Sequence, residues 1–169
     1  MRVYLPSTLP SLAAALAAGE IGPAPLTGYA VTPVLREWYV GGDLEELEYA
    51  AMLAAARASL RLLALDPEAP LRRVVLAVEL PEEAVSYEPG DAALTAEQAR
   101  ALVRIADPVP TKKIASGHVD DMIAGPAIRA ALAAMPAADG GDEDARFTVD
   151  GAEGYELMWY ATQELPYLF

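Results

Sequence analysis

The stretch Ser116-Gly117-His118-Val119-Asp120-Asp121 carries the densest chemistry in this 169-residue chain, because it sets the only histidine beside two carboxylates. An imidazole next to carboxylates could ligate a divalent metal, or act as a general base oriented by an acid. The spacing is not diagnostic: a lone His on a strand is commonly a hydrogen-bonded core or edge residue, and Asp pairs are frequent turn formers. Glu48, in Glu45-x-x-Glu48-Tyr49, is the second candidate. On a helical wheel it falls among Leu44, Ala51, Met52 and Ala55, where apolar neighbours would raise its pKa and suit it to acid catalysis or ligation. The helix dipole alone also favours Glu in a first turn. His118, Asp120, Asp121 and Glu48 are therefore the candidate catalytic residues. His118, Asp120 and Asp121 are the candidate metal ligands, and no cofactor is expected beyond such a divalent ion.

Two aromatic clusters are candidates for binding: Arg36-Glu37-Trp38-Tyr39 and Trp159-Tyr160. Arg beside Trp and Tyr is the composition of binding hot spots, although Trp and Tyr at helical spacing also serve as partly buried core. Arg36, Trp38, Tyr39, Trp159 and Tyr160 are the candidate contacts. The segment Asp142 to Glu153 puts acids at several ligand positions of a calcium loop, but Arg146 and Phe147 stand where the loop needs an oxygen ligand and then a Gly. No G-x-G-x-x-G, P-loop, G-x-S-x-G or H-E-x-x-H pattern occurs, so nucleotide, hydrolase-elbow and zincin chemistry have no support.

The element that must position these residues is the stretch Asp43 to Leu65, which contains neither Gly nor Pro. It predicts a helix roughly 34 Å long. Asp43 caps its first turn with Glu46 as the capping-box partner, and Glu45 and Glu48 suit the positive end of the dipole. Asp43, Glu46, Arg57 and Arg61 form a narrow polar stripe, so the helix should be buried on more than one side, with a Tyr49, Leu53 and Leu60 side open to a second layer. Ahead of it, Arg2 to Leu5 reads as a strand, a helix runs to Ala18 and closes at Gly19, and Thr27 to Thr32 reads as a second strand, parallel to the first. Val34 to Val40 suits a short helix and Arg72 to Leu80 an interior strand. Pro81 to Asp91 is polar and irregular, and Thr95 with Gln98 opens a short helix that runs into a strand over Leu102 to Ala106.

Lys113 to Val119 should be a strand with Ile114, Ser116 and His118 on one face. A helix is expected from Pro126 to Met135 and a Gly-rich acidic loop from Ala137 to Asp144. A last helix should run from Asp150 to about Glu164, with Tyr155, Met158, Trp159 and Thr162 along one side. The alternation argues for a single α/β domain over 1–169: a sandwich with a mixed or mainly parallel sheet packed with helices around one long central helix.

With 54% hydrophobic residues the chain can bury a real core. Its formal net charge of -13 should repel nucleic acid and anionic membranes, while a basic protein patch is easier to accommodate. The absence of Cys excludes disulfides and thiolate ligands and suits a reducing cytoplasm. Arg2 and the apolar run after it mimic a signal peptide, but Pro6 and Pro10 interrupt that run, and no stretch approaches the ~20 strongly apolar residues of a membrane span.

Met1-Arg-Val-Tyr-Leu-Pro, Tyr29 to Tyr39, Leu47-Glu-Tyr-Ala-Ala, His118-Val-Asp-Asp and Gly151 to Leu165 together resemble an uncharacterised family of small proteins, a domain of unknown function from high-GC actinobacteria. The resemblance implies a cytoplasmic actinobacterial protein and carries over no catalytic residue. Two functional classes stay open. One is a non-catalytic binding, regulatory or interaction protein, with a protein partner or as a homo-oligomer, using the Trp38/Tyr39 and Trp159/Tyr160 surfaces. The other is a small metal-dependent or acid/base enzyme built on His118 with Asp120 and Asp121.

Overall fold

The computed structural model describes residues 1–87 and 96–169. The chain opens with β1 (Arg2–Ser7) and α1 (Leu9–Ala18), a helix capped by the Thr8 hydroxyl at its start and by Gly19, at φ 80°, at its end. The two-residue β2 (Glu20–Ile21), β3 (Leu26–Ala30) and α2 (Pro33–Trp38) follow. Next comes α3 (Leu44–Leu65), whose Asp43 cap accepts a hydrogen bond from the Glu46 N–H at 2.9 Å. Then come β4 (Val74–Glu79), β5 (Val85–Tyr87), α4 (Ala96–Ala101), β6 (Leu102–Ile105) and β7 (Val109–Pro110). The chain ends with β8 (Ile114–Asp120), α5 (Gly125–Asp139), α6 (Glu143–Asp150) and β9 (Leu157–Ala161). The helix-into-strand reading of the segment up to Ala106 is realised in α4 and β6, whereas Thr95 lies outside the described residues.

The seven-stranded sheet has the order β5-β6-β3-β1-β4-β8-β9 and every pairing in it is antiparallel, which corrects the expectation of a mixed or mainly parallel sheet. The reason lies in the first excursion. Tyr29 stands opposite Tyr4 and Ala30 opposite Val3, so β3 enters the sheet at the end where β1 left it. α1 carries the chain out and β2 with its proline-rich loop carries it back, and a crossover that returns to its starting end yields an antiparallel neighbour. The parallel relation appears one strand further on: β3 and β4 run the same way, joined through α3, with β1 between them.

Alternation along the strands gives the sheet two buried faces. Val3, Leu5, Leu76 and Val78 pack with Leu9 and Leu12 of α1 and with Leu165 from the 3-10 turn Thr162–Tyr167. Tyr4, Tyr29, Val75 and Ala77 face Leu47, Ala51 and Ala55 of α3. A third cluster ties the end of α3, through Leu60 and Leu63, to Ile128, Ala131 and Met135 of α5 and Val149 of α6. β4 is buried at every position except Glu79, as its unbroken apolar run requires.

Three local expectations differ from the structure. Ile114 does not share a face with Ser116 and His118, because the β4–β8 register skips Ala115 at a bulge and turns Ile114 to the opposite side. The last helix does not form: Gly151–Gly154 makes a 3-10 turn, and Leu-Met-Trp-Tyr-Ala is β9 at the sheet edge. The capping pair Asp150 and Glu153 is spent instead on Arg57, at 2.6 Å each, and Gly154 ends the helical turn. The expected acidic loop is also narrower, since α5 continues through Pro136 to Asp139 and Asp142 caps α6.

Candidate functional site

A groove of about 1230 Å³ runs along the outer side of α3. Its floor is Glu46, Ala50, Leu53, Ala54, Arg57 and Arg61, which share one helical face. One wall is Leu35 and Tyr39 with Glu97, Gln98 and Arg100; the other is Met135, Asp139, Arg146, Val149 and Asp150. The side expected to receive a second layer is thus only partly covered: Leu60 is buried, but Tyr49 remains 47% exposed over the groove. From Glu46 to Arg61 the floor runs for about four turns, or roughly 22 Å.

The groove is less acidic than the molecule as a whole, since its lining sets Arg57, Arg61, Arg100 and Arg146 against Glu46, Glu97, Asp139, Asp150 and Glu153. Arg57 bonds Asp150 and Glu153, and Arg61 grips Asp139 with both terminal nitrogens at 2.5 and 2.8 Å. These bonds from Arg61 hold the Asp139 carboxyl below its ordinary range. Both arginines are struts between α3 and the α5–α6 wall. Replacing Arg57 by Met should cost about 1 kcal/mol, less at high salt, because its partners are half-exposed and screened; urea unfolding at two ionic strengths measures it. Arg100 is committed differently, with its guanidinium carbon 3.4 Å from the Trp38 ring centroid. Arg146 is exposed and forms no ion pair among the described residues.

His118 lies elsewhere, on the sheet face beside α3. Its Nε2 is 3.1 Å from the Ser116 hydroxyl, its ring meets Tyr4 edge-on at 6.5 Å, and Trp159 of β9 stands opposite it in register. Burial and then the nearby Arg2 guanidinium push its pKa down. Burial, followed by the Glu48 carboxylate, pushes the Tyr4 phenol up to about 12. Glu48 and His118 therefore both neighbour Tyr4.

Asp120 and Asp121 do not join them. Asp120 is fully buried with both oxygens bound to Arg73, at 2.8 Å, and Asp121 caps the 3-10 turn Met122–Ala124 by accepting from the Ile123 N–H. Among the described residues no group of three or more His, Asp or Glu is placed to hold a metal ion. The proposed ligand set His118, Asp120 and Asp121 thus fails on geometry: a strand turns its carboxylate into the core beside Arg73, and the next residue leaves the sheet. The candidate calcium segment is α6, a helix rather than a ligand loop.

The pKa direction at His118 has a consequence for stability. In the fold the ring stays neutral to lower pH than in the unfolded chain, so the unfolded state binds the extra proton below about pH 6.5. Stability should fall as pH drops from there, with a slope of up to one proton. His118→Gln should remove that component, as urea titrations between pH 7 and 5 would register.

The two aromatic clusters are also apart. Trp38 is 59% exposed under Arg100, and Tyr39 and Arg36 are exposed near it on α2 and its end. Trp159 is 62% exposed on β9 at the edge of the sheet, and Tyr160 turns to the other face against the core. The model for the family of unknown function DUF6912 matches residues 1–169, the whole of the sequence. The chain belongs to that family. No curated protein and no solved structure matches it. Among the described residues of this DUF6912 member no helix is long and apolar enough to cross a membrane.

Sequence reasoning missed the groove residues Arg61, Arg100, Arg146 and Asp139 as a group. The available signal was the polar stripe Glu46, Arg57 and Arg61 enclosing Ala50, Leu53 and Ala54, a face neither wholly buried nor wholly wet.

Proposed function

We propose that the protein is a non-catalytic interaction protein whose α3 groove receives an amphipathic segment of a protein partner. The groove itself carries this reading: about 1230 Å³ of open concavity over four helical turns exceeds the ~300–1,000 Å³ of an ordinary small-molecule pocket. Ala50, Leu53 and Ala54 make an apolar strip along its floor between charged residues, which suits a helix laid in a groove. The segment supplies the layer that Tyr49 and Leu53 lack, and its carboxylates meet Arg100 and Arg146. The lack of Cys supports a cytoplasmic setting, and the family resemblance in the sequence supports an actinobacterial origin.

A photo-crosslinking residue at Leu53 tests the proposal in cells. A discrete adduct is expected there, lost when Ala50→Trp fills the groove and absent when the probe sits at Val40. Equal labelling from both positions would sink it. One observation favours a second reading, an acid/base centre at His118, namely the 3.1 Å contact between the Ser116 hydroxyl and Nε2. Ser116 is only 5% exposed, so turnover would require this face to open. Ester hydrolysis unchanged by His118→Ala would dispose of that reading.

A further inference from the structure

We propose a second interaction site, independent of the groove: the free edge of β9, which takes an extended segment of a protein partner by strand addition, the segment carrying Lys or Arg on both sides of an apolar stretch. Among the described residues β9 pairs with β8 alone and closes one side of the seven-stranded sheet. Alternate residues of such a strand direct their N–H and C=O groups away from the sheet. Natural edges are guarded by brevity, charge, proline or bulges. The opposite edge, β5, is three residues long and follows Glu82 and Glu83. β9 has five residues, Leu-Met-Trp-Tyr-Ala, with no charge and no proline.

Both faces of this edge are apolar and open. Trp159 is 62% exposed on the face shared with His118, and Met158 is 49% exposed on the other. Side chains of an added strand alternate between these two faces, one set against the indole and the next against the thioether. The start of β9 is anchored, because Arg73 donates to the Tyr155 carbonyl at 2.9 Å. The template is therefore held in place before any partner arrives.

Charge decides what occupies it. No Lys or Arg follows Arg146 in the chain, and Glu156 and Glu164, both exposed, bracket β9 without an ion pair among the described residues. A second copy would bring the same carboxylates and a further net charge of -13 to the edge. In an antiparallel pairing centred on Trp159 the acidic ends of the two strands would approach each other, which is destabilising. A strand flanked by cations meets Glu156 at one end and Glu164 at the other.

The test uses the full chain, ¹⁵N-labelled, with the peptide Lys-Lys-Val-Thr-Val-Thr-Val-Lys-Lys and its Glu-flanked counterpart. Adding the Lys peptide should slow amide exchange at alternate residues of β9. Glu156→Lys combined with Glu164→Lys should weaken that peptide about tenfold and favour the Glu-flanked one. Both positions are exposed, so the fold is retained, and Ala50→Trp in the groove should leave binding unchanged. Equal affinity for the two peptides, protection confined to the α3 groove, or no protection at saturation would overturn the proposal. So would a concentration-dependent dimer that protects β9 without peptide, since the edge would then belong to a second copy.

Discussion

Replacing Asp120 by Ala is expected to destabilise the protein by about 3–5 kcal/mol, measured as a lower urea midpoint with an unchanged slope. Asp120 is fully buried and Arg73 is 2% exposed. The carboxylate accepts from Arg73 three times, at the backbone N–H, Nε and a terminal nitrogen, each at 2.8 Å. Alanine would strand a guanidinium in the core with only the Tyr155 carbonyl left to it, and would orphan a backbone N–H at the start of β4. The same arginine joins β4, β8 and the lead into β9, so amide exchange in β9 should rise before the global transition. Asp120→Asn combined with Arg73→Met should lose less than Asp120→Ala alone, because no unpaired charge remains. A double variant as unstable as the single one would show that Arg73 is not left uncompensated.

Leu165→Ala should cost about 2–5 kcal/mol, the range for a large buried aliphatic side chain removed from a packed site. Leu165 is 1% exposed and sits directly over Gly117 of β8. A Cβ at Gly117 would lie 2.5 Å from Leu165 Cδ2, closer than atoms can approach. Gly117→Ala should therefore cost about 1–3 kcal/mol by overpacking. The two effects should not add: alanine at position 117 fills part of the space that Leu165→Ala vacates, so the double variant should be more stable than the sum of the singles. Additive losses would mean that the Thr162–Tyr167 turn is not seated on Gly117.

Both experiments probe the C-terminal third, where sequence and structure part most clearly. Asp150-Gly-Ala-Glu153 has the form of a helix start, and Tyr155, Met158, Trp159 and Thr162 have helical spacing. The fold uses the same residues otherwise, because β8 offers an unpaired edge that Leu157–Ala161 can satisfy and Arg57 offers a partner for both acids. Neither partner is local in sequence, so no local pattern announces them. His118 was legible as a residue on a strand, but its carboxylate neighbours were misjudged. Asp120 answers to Arg73, forty-seven positions away in the chain.

By itself the sequence determined the elements whose forces are local: α3 with its Asp43 cap, α1 with its close at Gly19, the buried β4, and the passage from α4 into β6. Caps, periodicity and apolar runs act within a few residues and can be read along the chain. Only the tertiary structure decided strand direction, the pairing of Asp120 with Arg73, the edge position of Trp159 and the groove over Tyr49 and Leu53. Each of these depends on which distant segment arrives at a surface and which surface receives none.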